Sequence, residues 1–427
     1  MTPPQPAKAA TAQVKGQRRD RWHTLRDAIQ RITLDSGLPD CGRLPVPSAG
    51  GQVTVRYDRG RARWVRLRTC RKGNLCPVCG NRIRTARGDQ LARASKAWAD
   101  PEWEMPAELA HLARAATGGG LAMGTYTLRH FARQSLEELV KLQRAAWRRA
   151  FGAGSGAAWR RLRERYGIVG DVRAFEVTHG TNGWHPHFHT LYFLRAPLTE
   201  AQRAELEQAL WERWSKAVVE AGGYTLSRRH GFKLDIPRNG DIEAFARYIA
   251  KEITGDQTKT GRGGRRTPWQ IAQDWADTGS ARDRELWRSY ELGIKGVWYL
   301  RWSDKLAPFG RLFEDRTDDE LAAAAELDDD QDDDQDQEDA PTMEAGEVLG
   351  VSYAAWFTVL LQRQGRRLEV VHALERSGLA AARALLESWG LTWGSDCWSP
   401  LDGSVPEGYG PPDPPADPEP EQLVIAC

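Results

Sequence analysis

Three histidines, His185, His187 and His189, stand at alternate positions in the apolar run GWHPHFHTLYFL (183–194). On a strand, residues two apart share a face, so the three imidazoles point the same way. Neutral imidazoles that converge on one side suit a divalent cation. Leu191 and Phe193 continue that face, which argues against a strand side simply turned to solvent. The preceding run DVRAFEVTH (171–179) is a second strand, and Gly180-Thr181-Asn182-Gly183 is the hairpin loop between them. If His179 pairs with Trp184, Glu176 stands opposite His187 on the same face. Two imidazoles and a carboxylate leave coordination positions for a substrate oxygen. A one-residue slip would carry Glu176 to the other face, and His185 is then the rival third ligand.

A second group with chemistry lies about sixty residues on, in GDIEAFARYIAKEITG (240–255). Ile242, Phe245, Ile249 and Ile253 form one stripe of a helix, at about 100° per residue, and that stripe is the buried side. Tyr248 falls at its border, with Lys251 three residues later on the tyrosine's side. A border tyrosine is ordinarily an amphipathic filler. Beside a metal strand it can act as a nucleophile on a phosphodiester, with the cation and Lys251 offsetting a hydroxyl pKa of about 10.

The third group is TCRKGNLCPVCGNRIRTAR, which spaces Cys70, Cys76 and Cys79 as a Cys-Pro-x-Cys-Gly knuckle with one upstream thiol. Three thiolates call for a fourth ligand on a tetrahedral Zn²⁺, and Cys41 in DCGR is the candidate. A redox Cys-x-x-Cys is the competing reading, weakened by Cys70. Arg82, Arg84 and Arg87, on a helical pattern that begins near Asn81, would face DNA phosphates. The bland alternative is a solvated helix side.

The elements that must position these groups follow from periodicity. LAMGTYTLRH (121–130) reads as a strand, LEELVKLQRAAWRRAF (136–151) as a helix and FKLDI (232–236) as a short strand. Thr199 and Gln202 fit a capping box ahead of a helix carrying Leu206, Leu210, Trp214 and Val218. The charge balance is split along the chain. Residues 1–313 carry 54 basic against 31 acidic side chains, and residues 314–427 carry 6 against 27. A basic body with an acidic appendage suits a polyanionic partner. No apolar run is long enough for a membrane span, and the N-terminus lacks a signal-peptide core. The expected compartment is therefore the cytoplasm, where clustered thiols favour metal over disulfides.

Taken together, WHPHFHTL and YIAK resemble the histidine-hydrophobe-histidine (HUH) endonuclease superfamily. More narrowly, they resemble the single-tyrosine rolling-circle replication initiators (Rep) of Gram-positive and actinomycete plasmids. The resemblance spans roughly residues 35–310, with the strand, the histidine strand and the tyrosine helix in order. It implies an α+β fold with a central antiparallel sheet of about five strands and flanking helices. It also implies that His187 and His189 bind Mg²⁺ or Mn²⁺ and that Tyr248 nicks one strand at the plasmid origin, single-stranded or supercoiled. Tyr248 would stay linked to the 5′ phosphate, the freed 3′ hydroxyl would prime synthesis, and Lys251 would stabilise charge at the phosphate. Host helicase and polymerase are the implied partners, with a homodimer left open. The sequence departs from the family at Ala244, where a glutamate serves at termination. Glu252 or Asp241, on the tyrosine's side of the helix, would replace it, and Glu243 would not.

The resulting organisation is a disordered tail (1–20), a zinc-binding DNA-contact module (21–100) and an HUH endonuclease domain (101–313). An acidic linker (314–342), a small C-terminal helical module (343–400) and a Pro-rich tail (401–427) follow. A relaxase, a transposase of the same chemistry and a non-catalytic zinc-ribbon regulator are the alternative readings.

Overall fold

A computed structural model describes residues 19–47, 52–58, 60–237, 241–254, 264–328, 343, 345–363 and 365–406. The expected tails at 1–18 and 407–427, the stretch 329–342 of the acidic linker and residues 260–263 of the basic glycine-rich loop at 260–268 lie outside the described residues. Nine strands are described: β1 (Gln52–Asp58), β2 (Arg61–Val65), β3 (Gly120–Thr127), β4 (Ile168–Gly180), β5 (Gly183–Leu194), β6 (Phe232–Asp235), β7 (Leu300–Trp302), β8 (Gly346–Ser352) and β9 (Cys397–Trp398). The chain divides into two compact units, one built from residues 1–20, 40–69 and 326–427 and the other from 21–39 and 70–325.

The first unit holds an antiparallel sheet in the order β2-β1-β8-β9. Val53 pairs with Val351 and Val55 with Leu349. Their side chains join Trp356, Leu360, Val370, Val371 and Leu374 in one core, closed by the helix Arg366–Ser388. This corrects the expected separation of a zinc module from a purely helical C-terminal one. Residues 52–65 and 346–398 supply strands to the same sheet, because each is a short strand that cannot bury its apolar side alone.

The second unit holds the five-stranded antiparallel sheet, in the order β6-β3-β5-β4-β7. The β4–β5 hairpin is tighter than expected. Gly180 pairs with Gly183, and Gly183 takes φ +82°, which leaves Thr181-Asn182 as the turn. One side of the sheet presents Leu121, Met123, Val172, Ala174, Leu191 and Phe193. These residues pack against Leu91, Ala94 and Trp98 of the helix Pro77–Ala99 and against Phe245 and Ile249 of the helix Ile242–Thr254. The other side presents Tyr126, Phe188, Tyr192 and Leu194 to Ala146 and Trp147 of the helix Leu136–Phe151 and to Leu206, Leu210 and Trp214 of the helix Glu200–Glu220. Each such buried side chain contributes about 1.5–3 kcal/mol. Reciprocal capping boxes start both of the latter helices, at Ser135–Glu138 and Thr199–Gln202.

The first part of the acidic segment departs from expectation, since Asp318–Asp328 is a helix. Leu321 and Ala322 bury completely enough to anchor it, and Asp318 accepts from Arg87 at 2.9 Å.

Candidate metal centre and tyrosine helix

The hairpin register opposes Glu176 to His187 and Ala174 to His189. Directly opposed residues share a side, so Glu176, His187 and His189 come together on the side that Val172, Ala174, Leu191 and Phe193 continue. Glu176 Oε2 lies 3.2 Å from His187 Nε2 and 3.0 Å from His189 Nε2. One donor atom from each residue lies within 4.8 Å of the others. The second ring nitrogens are also engaged. His189 Nδ1 is 3.3 Å from Thr125 Oγ1, on the β3 residue paired with it, and His187 Nδ1 is 3.4 Å from the His185 carbonyl. Partners of this kind fix the tautomer and aim Nε2, as metal-bound histidines require. Burial pushes the Glu176 carboxyl up, yet the two imidazoles together hold it well below the usual carboxylate range. An anionic oxygen between two imidazole nitrogens is a donor set that could hold a divalent cation.

His185 stands outside this group. Its Nδ1 lies 3.1 Å from Nε2 of His130, and burial, with His187, Arg265 and His130 nearby, pushes its pKa down to about 3. The structure thus pairs the rival ligand with His130, three residues past the end of β3. The sequence reading missed His130, because a lone histidine after a strand carries no spacing signal.

Tyr248 is 40% exposed, so its hydroxyl-bearing ring is not part of the core beneath it. Its helix lies across β4 and β5 on the metal side, anchored by Phe245 and Ile249. Asp241 caps that helix, with Oδ1 accepting from Ala244 N–H at 2.8 Å. Glu243 is paired with Lys96 at 3.3 Å and Arg247 at 3.0 Å. Lys251 and Glu252 continue the helix, but their side chains, like that of Ile253, lie outside the described residues.

Cys76 caps the helix Pro77–Ala99, its sulfur accepting from Cys79 N–H at 3.5 Å, with Pro77 in the first turn. Cys70 Sγ is 3.8 Å from Cys79 Sγ. Sulfurs at about 2.3 Å from one tetrahedral zinc stand about 3.8 Å apart, so the spacing fits a shared ion. The sulfurs of Cys70, Cys76 and Cys79 lie within 4.8 Å of one another, and no described cysteine is in a disulfide; Cys41 falls in the other compact unit. Cys397 is separate and buried, which pushes its thiol up to about 12.

The arginine side expected to meet DNA is turned to the protein itself. Arg87 donates to Asp318, Gln90 and the Arg316 carbonyl. Arg84 donates to Asn74 and stacks 4.0 Å from the Tyr299 ring centroid, and Arg82 donates to the Ala322 carbonyl. The chain at 314–322 supplies most of these acceptors, and helix phase alone gave no sign of it.

No helix among the described residues is long and apolar enough to cross a membrane. No family model matches the chain, and no solved structure matches it. It is 25% identical over 321 residues to a Streptomyces lividans protein named "Protein rep", covering 60% of this chain and 66% of that one. It is 27% identical over 256 residues to a Streptomyces cyanogenus protein named "Neomycin resistance protein", covering 52% of this chain and 53% of the relative. The chain thus spans less than two thirds of the length of either curated relative.

Proposed function

We propose that this chain is a plasmid replication initiator that cuts one DNA strand with Tyr248. The observation that carries the reading is the Glu176–His187–His189 donor set, on the same side of the sheet that the tyrosine helix covers. The name of the Streptomyces lividans relative, "Protein rep", supports it. Glu176, His187 and His189 would hold Mg²⁺ or Mn²⁺, which supplies charge to polarise a phosphodiester. The Tyr248 oxygen attacks phosphorus after losing its proton, and the bond to the 3′ oxygen breaks. The products are a 5′-phosphotyrosyl link and a free 3′ hydroxyl that serves as primer. Attack of a 3′ hydroxyl on that ester reverses the step, so rejoining needs no nucleotide cofactor. Lys251 stabilises the phosphate charge, and Glu252 is the carboxylate for the second cleavage, since Asp241 is committed to capping. The four cysteines hold a structural Zn²⁺. The partners are plasmid origin DNA and host helicase and polymerase, in the cytoplasm.

The test is incubation with labelled single-stranded or supercoiled plasmid DNA and Mn²⁺, resolved on a denaturing gel. A covalent protein–DNA adduct is expected that carries label placed 3′ of the break, while label placed 5′ of it leaves on the fragment with the free 3′ hydroxyl. No adduct on any plasmid substrate, with the metal group intact, would favour the regulator reading.

A further inference from the structure

Trp298 is the most exposed large apolar residue described, at 70%. Its backbone is nonetheless held from several sides. Arg144 Nη1 reaches the Gly296 carbonyl at 3.4 Å, Asn74 Nδ2 donates to the Val297 carbonyl at 3.2 Å, and Phe175 N–H donates to the Tyr299 carbonyl at 3.1 Å. That last bond extends the β4–β7 pairing past the end of β7. Val172 pairs with Trp302 and Ala174 with Leu300, and carrying that register two residues beyond the end of β7 would set residue 298 opposite Glu176. Trp302 and Leu300 both pack on the side that carries the metal group, and Trp298 is next in that alternation. Lys295 and Arg301, both exposed, flank it. Its indole N–H bonds to no described residue.

A solvent-facing indole with exposed cations three residues to either side in the chain suits a ligand with a flat π-face and a negative backbone. We propose that Trp298 is a stacking platform for a base of the single strand whose phosphate lies at the Glu176–His187–His189 group. The proposal rests on the nicking reading above and deepens it, by giving the site a base contact beside its phosphate contact. Stacking is tolerant of base identity, so the platform fixes strand position without reading sequence.

The experiment measures binding by fluorescence anisotropy in EDTA, in a full-length Tyr248→Phe background that cannot form the ester. The two probes are a labelled oligothymidylate and an abasic strand of the same length. Trp298→Ala is expected to weaken oligothymidylate binding about tenfold, to leave the abasic strand unchanged and to leave the salt slope unchanged, because no phosphate contact is lost. Trp298→Phe is expected to restore most of the affinity. An unchanged oligothymidylate affinity, as a protein-docking role for Trp298 would give, overturns the platform, and so does an equal loss on both probes. The adduct assay is scored separately with the tyrosine intact. A base-dependent loss without any adduct sinks the nicking reading alone, and an adduct with no Trp298 effect sinks the platform alone.

Discussion

The two sides of the five-stranded sheet use the same alternation and the same strands, yet they handle polar groups in opposite ways. On the side away from the metal group Tyr126, Tyr192 and Arg173 place their polar atoms inside an aromatic core. Tyr126 and Tyr192 share a hydroxyl–hydroxyl bond of 2.5 Å. Arg173 lies 4.3 Å from the Trp147 centroid and 4.8 Å from that of Phe188. Burial there pushes the guanidinium down to about 10, with Asp171 pulling the other way. On the metal side the polar residues are gathered at one end, where an anionic oxygen and two imidazoles face one another, and the core beside them is apolar. Dispersed polar groups serve packing, whereas groups gathered with matched acid and base character can hold a ligand.

That contrast can be broken by variants on either side. The largest effect is expected from Glu176→Ala, which should remove Mn²⁺ binding and lower nicking on the order of 10³-fold, with the circular dichroism spectrum retained. A nicking rate within a few-fold of the parent would detach the carboxylate from function. Thr125→Val should leave the ligands in place but weaken Mn²⁺ binding about 10- to 100-fold, since His189 loses the partner of its Nδ1. Calorimetry with Mn²⁺ reads this directly, and unchanged affinity would reduce Thr125 to a packing residue. Tyr126→Phe on the opposite side should cost about 1–3 kcal/mol of unfolding free energy, because the buried Tyr192 hydroxyl is left without its partner. Its Mn²⁺ affinity should stay at the parent value. A matching drop in metal binding would mean the two sides are not separable.

Much of this site was legible because it is local. The alternation of 171–179 and 184–194 and the glycines at 180 and 183 fix the register, and the register alone opposes Glu176 to His187. The tyrosine helix was legible in the same way, from Phe245 and Ile249 at helical spacing. The rest depends on contacts distant in sequence. The pairing of β1 with β8 joins segments about three hundred residues apart, and neither strand names its partner. The helix Asp318–Asp328 hides in an acidic run, held by Leu321, Ala322 and the Arg87 ion pair. That ion pair is also why Arg87 faces inward. His130 acquires meaning only from His185 on the strand beside it, and Trp298 only from the β4–β7 register that leads up to it.

The central claim is that the metal side of the sheet serves one nucleophile, the Tyr248 oxygen. Peptide mapping by mass spectrometry of the protein–DNA adduct formed with Mn²⁺ tests it most directly. The nucleotide mass is predicted on the peptide containing Tyr248, with no adduct in Tyr248→Phe. An adduct that persists in Tyr248→Phe, or that maps to another residue, would contradict the claim.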